Sequence, residues 1–301
     1  MKILLNRRPV EGPWGGGNHF VRSFYDVGMR QGHEIVSNFC PDLDAILMVD
    51  PRYDDLGISI NEIVQYKAYK PSTFILHRIN ECDSRKGTND VDGLLRECSR
   101  QSGASIFVSN WMKNYHISRG WHCVKNDVVY NGVDRSVFKP NQKINNGKIN
   151  IVAHHWSDNY LKGFDVYDFL DNLVKEHDHL TFTYIGRDRG TFQNTNVIAP
   201  MFGKSLGDEL GRYDVYVSGS RYDPGPNHIL ESLACEIPTY VHKDGGGAVE
   251  FAGDDHVYHS LNELKEMILE RSFALNKFQL SGWDDCVNKY ITLLENTITN
   301  K

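Results

Sequence analysis

No run of 18 consecutive apolar residues occurs in the chain, which excludes a segment of the length that a membrane-spanning helix needs. The opening MKILLNRRPV holds too short an apolar run for a signal peptide and reads better as a first strand. Basic blocks are also missing: Lys and Arg are scattered, and with a net charge of -6 the chain has no stripe for a phosphate backbone, which argues against nucleic acid as a partner. Six cysteines, Cys40, Cys82, Cys98, Cys123, Cys235 and Cys286, make no C-x-x-C pair, and 301 residues are far more than a fold that needs stapling; reduced thiols in a cytoplasmic compartment are expected, and no zinc site. There is no Asp-x-Asp or His/Cys cluster suited to a catalytic cation, no internal repeat and no low-complexity segment. What is present is 40% hydrophobic residues, ample for cores, in a chain long enough for two α/β domains. A soluble protein is the expectation, with peripheral contact to a membrane left open.

The chain is organised around Asp214 to Gly253, two successive strand-loop-helix units with loops rich in Gly, Pro and Asp. Tyr213 to Ser218 is a short β-branched run that suits a buried parallel strand, and from Asn227 to Cys235 the residues Ile229, Leu230, Leu233 and Ala234 share one helical face. Pro226 fits the first helical turn. The plan repeats with a strand at Thr239 to His242, a loop to Gly247 and a helix opening near Ala248. Loops of this kind end at helix N-termini, whose free N–H groups and dipole attract phosphate. Two acids stand eight positions apart here, Asp223 in the loop and Glu231 on the helix, and both can face one crevice. Taken alone they also read as a helix cap and a solvated helix residue.

Upstream, Ile3 to Leu5 reads as a strand, and a loop closes on Gly15, Gly16 and Gly17, where backbone can approach a ligand or simply turn. A helix then runs to Gln31. Asp44 to Val49 and Thr73 to Leu76 suit central parallel strands, and His77 directly follows the second. Ligands gather at the C-terminal ends of strands in open α/β sheets, which makes His77 a candidate site residue, although lone histidines also sit in cores. Val128 to Pro140 is a strand, an Asn-Gly turn and a proline-ended linker, and the polar run Asn141 to Lys148 reads as an interdomain hinge. After the strand Ile149 to His154, Lys162 precedes a helix and can reach an anion at the loop; a lysine is a compact charge suited to a diphosphate. Trp283 to Thr297 is an amphipathic last helix.

In this order the motifs resemble the retaining glycosyltransferases of family 4: the glycine loop, Asn131-Gly132-Val133-Asp134 with Phe138-x-Pro140, Lys162-Gly163, an acid pair of the Glu-x7-Glu type with Asp223 first, Gly246-Gly247 with Glu250, and the last helix. The resemblance covers nearly the whole chain. It implies an α/β chain of GT-B architecture, two doubly wound Rossmann-like domains facing across a cleft: residues 1–142 on the acceptor side, completed by helix 283–301, and residues 143–282 binding the nucleotide-sugar donor. It implies transfer of a sugar from a nucleotide-sugar to a carbohydrate or glycoconjugate hydroxyl, with the donor as co-substrate, no cofactor and no metal. By the same resemblance His77 contacts the donor sugar, Asp223 lies near the transferred sugar, Lys162 holds the diphosphate and Glu231 the ribose. Gly15, Gly16, Gly17, Gly225, Asn227 and His228 complete the donor site. The family usually carries an Arg a few residues before the lysine, where this chain has His155, Trp156, Ser157 and Asp158; Arg187, in the turn after strand Thr181 to Ile185, is the candidate replacement, or else a surface charge. A GT-B epimerase and a catalytically silent nucleotide- or sugar-binding protein are the rival readings.

Overall fold

A computed structural model describes residues 1–12, 16–52, 55–121, 125–270 and 273–299. The chain forms two compact units, one of Met1–Gly132 with Ser281–Lys301, the other of Val133–Leu280. Each is built on a six-stranded sheet whose ladders are all parallel.

The first unit uses β1 (Lys2–Leu5), β2 (Glu34–Val36), β3 (Ala45–Met48), β4 (Phe74–Ile79), β5 (Ala104–Phe107) and β6 (Asn126–Val128) in the order β2-β1-β3-β4-β5-β6. Its helices include α1 (Gly16–Arg30), α2 (Ile60–Tyr69), α3 (Asp83–Lys86), α4 (Val91–Arg100) and α5 (Asn110–Ile117). Gly16 and Gly17 open α1 rather than closing a loop, and Gly17 does not take a positive φ. Gly15 lies outside the described residues.

β4 runs three residues past the expected end, because His77, Arg78 and Ile79 pair with Ser105, Ile106 and Phe107 of β5. His77 is therefore an interior strand residue and not a strand-end one: it is 0% exposed, neither ring nitrogen has a hydrogen-bond partner, and burial, with His116 adding to it, pushes its imidazole down to about 3. Arg78 is also buried, its Nη2 donating to Asn131 Oδ1 at 2.8 Å and its guanidinium carbon 4.2 Å from the Phe20 ring centroid.

The second unit uses β7 (Ile149–His155), β8 (Leu180–Gly186), β9 (Asn196–Ile198), β10 (Val215–Ser218), β11 (Thr239–His242) and β12 (Val257–Tyr258), ordered β12-β11-β10-β7-β8-β9. This is the doubly wound order with its reversal between β7 and β10, and the crevice for a ligand opens beyond the C-terminal ends of those two strands. The helices are α6 (Phe164–Glu176), α7 (Gly203–Leu210), α8 (Asn227–Ala234), α9 (Gly247–Ala252) and α10 (Leu261–Leu269). Every residue of β7 is buried, as a strand covered by helices on both faces requires.

The units divide at Gly132, ahead of the polar run from Asn141. That run is bonded to the second unit: Ile144 N–H donates to Arg212 O at 2.9 Å, and Lys143 Nζ to Tyr213 O. The last helix, α11 (Trp283–Thr299), belongs to the first unit and places Cys286, Val287, Tyr290, Ile291 and Leu294 in its core beside Phe20 and Phe24 of α1. Among the described residues no helix is long and apolar enough to cross a membrane.

Candidate functional site

Three loops of the second unit converge at the reversal point. The loop after β7 ends in one 3-10 turn, Tyr160–Lys162, which Asn159 caps by accepting the Leu161 N–H at 2.9 Å. Gly163 stops the turn at φ +100, and a Cβ there would lie 2.3 Å from the backbone of Gly219, in the loop after β10. Only two glycines let those loops touch backbone to backbone. Arg221 N–H donates to Leu161 O at 2.9 Å, and its guanidinium grips both oxygens of Asp165 at 2.8 and 2.6 Å, tying the loop after β10 to the start of α6.

This approach brings Lys162 Nζ to 3.2 Å from Asp223 Oδ2, although 61 residues separate them. The two side chains are 17% and 12% exposed, a part-buried ion pair that still faces solvent. The third loop, after β11, closes on the same acid: Asp223 N–H donates to Gly245 O at 3.3 Å, and Gly247 N–H donates to Asp223 O at 2.8 Å. Between them Gly246 takes φ +70, and a Cβ there would come within 2.6 Å of Asp223 O. Tyr222, just before the acid, sits at φ +52, a conformation that costs a non-glycine residue about 1–3 kcal/mol and is held by its N–H bond to Asp244 O at 2.8 Å. Asp223 is thus fixed by backbone on both sides, three residues ahead of Pro226, which occupies the position preceding α8.

Glu231 lies on α8 with its carboxylate turned back to the sheet, Oε2 2.9 Å from Nε2 of His154 near the end of β7; the side chains are 13% and 9% exposed. One turn earlier on the helix, His228 Nε2 lies 3.0 Å from Ser218 Oγ. His155 Nε2 meets Tyr167 OH at 2.6 Å, and that hydroxyl accepts the Gly219 N–H at 3.2 Å. The rings of His155 and His228 cross at 4.6 Å. Gly225 and Asn227 are half-buried at the turn into α8. Arg187 is exposed beyond β8 and stacks on Trp156 of the loop after β7, its guanidinium carbon 4.0 Å from the ring centroid.

The second unit therefore gathers Lys162, Asp223, Gly225, Asn227, His228 and Glu231 at one strand-end crevice, with Arg187 beyond its β8 side. His77, Gly16 and Gly17 belong to the other unit. Sequence reasoning missed His154, Tyr167 and Ser218; the one available signal was a His-His dipeptide following the apolar run Ile151 to Ala153.

Among the described residues no group of three His, Cys, Asp or Glu is arranged to hold a metal ion. Two Asp-x-Asp triplets do occur in the sequence, and both are engaged structurally. Asp42 pairs with Lys2 Nζ at 2.8 Å and Asp44 accepts the Lys2 N–H at 2.7 Å, while Asp92, two residues after Asp90, accepts from Asp83 N–H at 2.9 Å and from the Tyr115 hydroxyl at 2.8 Å.

No protein-family model and no curated protein matches the sequence. Solved structures do match. Sucrose-phosphate synthase from Thermosynechococcus elongatus superposes with a TM-score of 0.70 at 12% identity, over 100% of this chain and 99% of that one. HepE from Anabaena, solved with UDP and glucose, gives a TM-score of 0.68 at 12% identity over 100% and 98%. The pneumococcal O-GlcNAc transferase GtfA, solved with UDP and GlcNAc, gives 0.61 at 10% identity over 85% of this chain and 57% of that one. At such identities the likeness is one of fold, and the chain is an α/β protein with the GT-B fold.

Proposed function

We propose that this chain is a retaining glycosyltransferase that takes a sugar from a nucleotide-sugar bound by the second unit and passes it to an acceptor hydroxyl, without a metal ion or a resident cofactor. The observation that carries the reading is the Lys162–Asp223 pair at 3.2 Å, set with Glu231 at the reversal point of a doubly wound sheet. The solved relatives in fold that hold UDP or UDP-glucose support it. In the proposed cycle Glu231 accepts hydrogen bonds from the ribose, the positive N-terminal end of α8 and Lys162 meet the diphosphate, and Asp223 faces the transferred sugar. When the donor binds, its diphosphate competes with Asp223 for Lys162, a cation already positioned where negative charge develops on the leaving group. The acceptor is assigned to the first unit, which has a small concavity beyond β3 and β4 where the polar residues Asp50, Arg52, Asn80 and Glu81 stand beside apolar Leu94 and Leu95. His77 takes no part, because it is sealed in the sheet.

The test is a thermal-shift screen of UDP-, GDP- and ADP-sugars, followed by turnover with and without an acceptor extract; a bound ligand raises apparent stability by mass action. No shift with any of them would remove the reading, and a shift with no transfer would leave a binding protein.

Two further outcomes are expected. Glu231→Gln exchanges a charged acceptor for a neutral one, and the loss of a charge-assisted hydrogen bond, on the order of 1.5–3 kcal/mol, should weaken the bare nucleotide roughly ten- to a hundredfold by titration calorimetry. Parental affinity in that variant would take the ribose away from Glu231. Saturating EDTA should leave turnover at its starting level, since Lys162 and the α8 N-terminus supply the positive charge in the proposed cycle; loss of activity restored by magnesium or manganese would overturn the metal-independent scheme.

A further inference from the structure

The reading above gives Glu231 a ligand but leaves open why its carboxylate points toward the sheet. His154 answers this. Its backbone is bracketed by one buried hydroxyl: Tyr216 OH of β10 lies 3.3 Å from both the N and the O of His154. Its ring stands edge-on to Tyr216 at 5.5 Å and perpendicular to His228 at 6.2 Å, so the imidazole is walled on two sides. Nε2 reaches Glu231 Oε2 at 2.9 Å, while Nδ1 is buried with no hydrogen-bond partner. A carboxylate only accepts, so the proton of that bond sits on Nε2. A histidine with one nitrogen buried and unmatched has a single polar contact to make, and it makes it to Glu231.

We infer that His154 is the positioning residue for the donor's ribose: it occupies Oε2 of Glu231, fixes the carboxylate rotamer before the ligand arrives, and leaves Oε1 to select a nucleotide that carries ribose hydroxyls. This rests on the donor-site reading of α8. An ordinary core histidine would be indifferent to the sugar of the nucleotide, whereas a residue that aims Glu231 sets the preference for ribose over dideoxyribose.

The probes are UDP, GDP and ADP, and the 2′,3′-dideoxy form of whichever binds the parent best. The parent should favour the ribo form by roughly tenfold or more, the scale of one charge-assisted hydrogen bond. His154→Asn, one methylene too short to reach, should lose most of that ratio, and His154→Gln, whose Nε2 reaches the same place, should keep it. In a Glu231→Gln background the His154→Asn change should no longer alter the ratio, because the coupling runs through that carboxylate. A folded His154→Asn protein with the parental ratio overturns the inference and leaves the donor site standing. Absence of binding by all three nucleotides to the parent overturns the donor-site reading, and the inference with it. Should His154→Asn fail to fold, the parent decides: with ¹⁵N-labelled histidine, the signal absent from His154→Gln should show an Nε2-protonated ring both free and nucleotide-bound, and a ring protonated on Nδ1 alone in the complex overturns the inference.

Discussion

Asp223→Asn should turn over at about a hundredth of the parental rate or less while binding the bare nucleoside diphosphate at least as tightly as the parent. The two effects separate because in the proposed cycle the acid acts on groups of opposite kind. Toward the sugar, its charge faces a centre that becomes cationic as the glycosidic bond breaks; removing a preorganised charge from such a site costs roughly 3 kcal/mol or more of transition-state stabilisation, which is about two orders of magnitude in rate. Toward Lys162, the carboxylate at 3.2 Å competes with the incoming diphosphate. Asparagine relieves that competition, and since the pair is only part-buried the gain is modest, up to about tenfold in affinity. Shape is conserved, and the backbone bonds from Asp223 to Gly245 and Gly247 do not involve the side chain, so the loop keeps its place. Calorimetric titration with nucleotide, then turnover of the donor that binds best, reads both arms. Parental turnover would return Asp223 to a structural ion pair, and a large loss of nucleotide affinity would make it a diphosphate-site residue instead.

Some of this was legible in the sequence and some could not be. Gly, Pro and Asp punctuate the runs from Asp214 to Gly253 so closely that strand, loop and helix fall into place, and a parallel sheet follows from the apolar, β-branched strands. The loop-borne Asp223 and the helix-borne Glu231 could be singled out for the same reason: residue types that bind hydroxyls and charges at the C-terminal end of a strand. Their partners were not readable. Lys162 meets Asp223, and His154 meets Glu231, only because β7 and β10 are neighbours across five intervening elements, a fact of sheet order and not of spacing. Polar character misled in two places. His77 and Arg78 look like the end of a strand, but Arg78 finds internal partners in Asn131 and the Phe20 ring, so the strand runs on through both and His77 is buried with it. The run after Asn141 reads as a hinge, yet it is fastened to the second unit by the Ile144 backbone N–H on Arg212 O and by Lys143 on Tyr213 O; polar composition reports exposure, and exposure is compatible with tight attachment. Among the glycines, the close approach that shapes the crevice falls to Gly163, already marked by its Lys162-Gly163 motif, and to Gly219, which carries no signal in the sequence.

Gly163→Ala is the sharpest probe of that approach, and it should cost both stability and activity. Two penalties combine. An L-residue at φ +100 is strained by about 1–2 kcal/mol. The methyl would then sit 2.3 Å from the Gly219 backbone, where real contacts lie beyond 3 Å, and forcing the loops apart adds roughly 1–3 kcal/mol more. Parting them by about 1 Å also stretches the Lys162–Asp223 pair beyond ion-pair reach, and a misplacement of that size in a reacting constellation costs on the order of a hundredfold in rate. Gly190→Ala supplies the control: it takes φ +72 with nothing within 4 Å of the added methyl, so it carries the strain of the left-handed conformation without the collision. Because the chain has two compact units, the comparison is best made on denaturant unfolding followed by hydrogen exchange of the β7 and β10 amides, which reports on the second unit alone. Gly163→Ala should lose about 2–5 kcal/mol of protection there and nearly all turnover, and Gly190→Ala about 1 kcal/mol with turnover kept. If both variants behave alike, the backbone contact at Gly219 is not what holds Lys162 against Asp223, and the crevice must be set by the Arg221–Asp165 clamp instead.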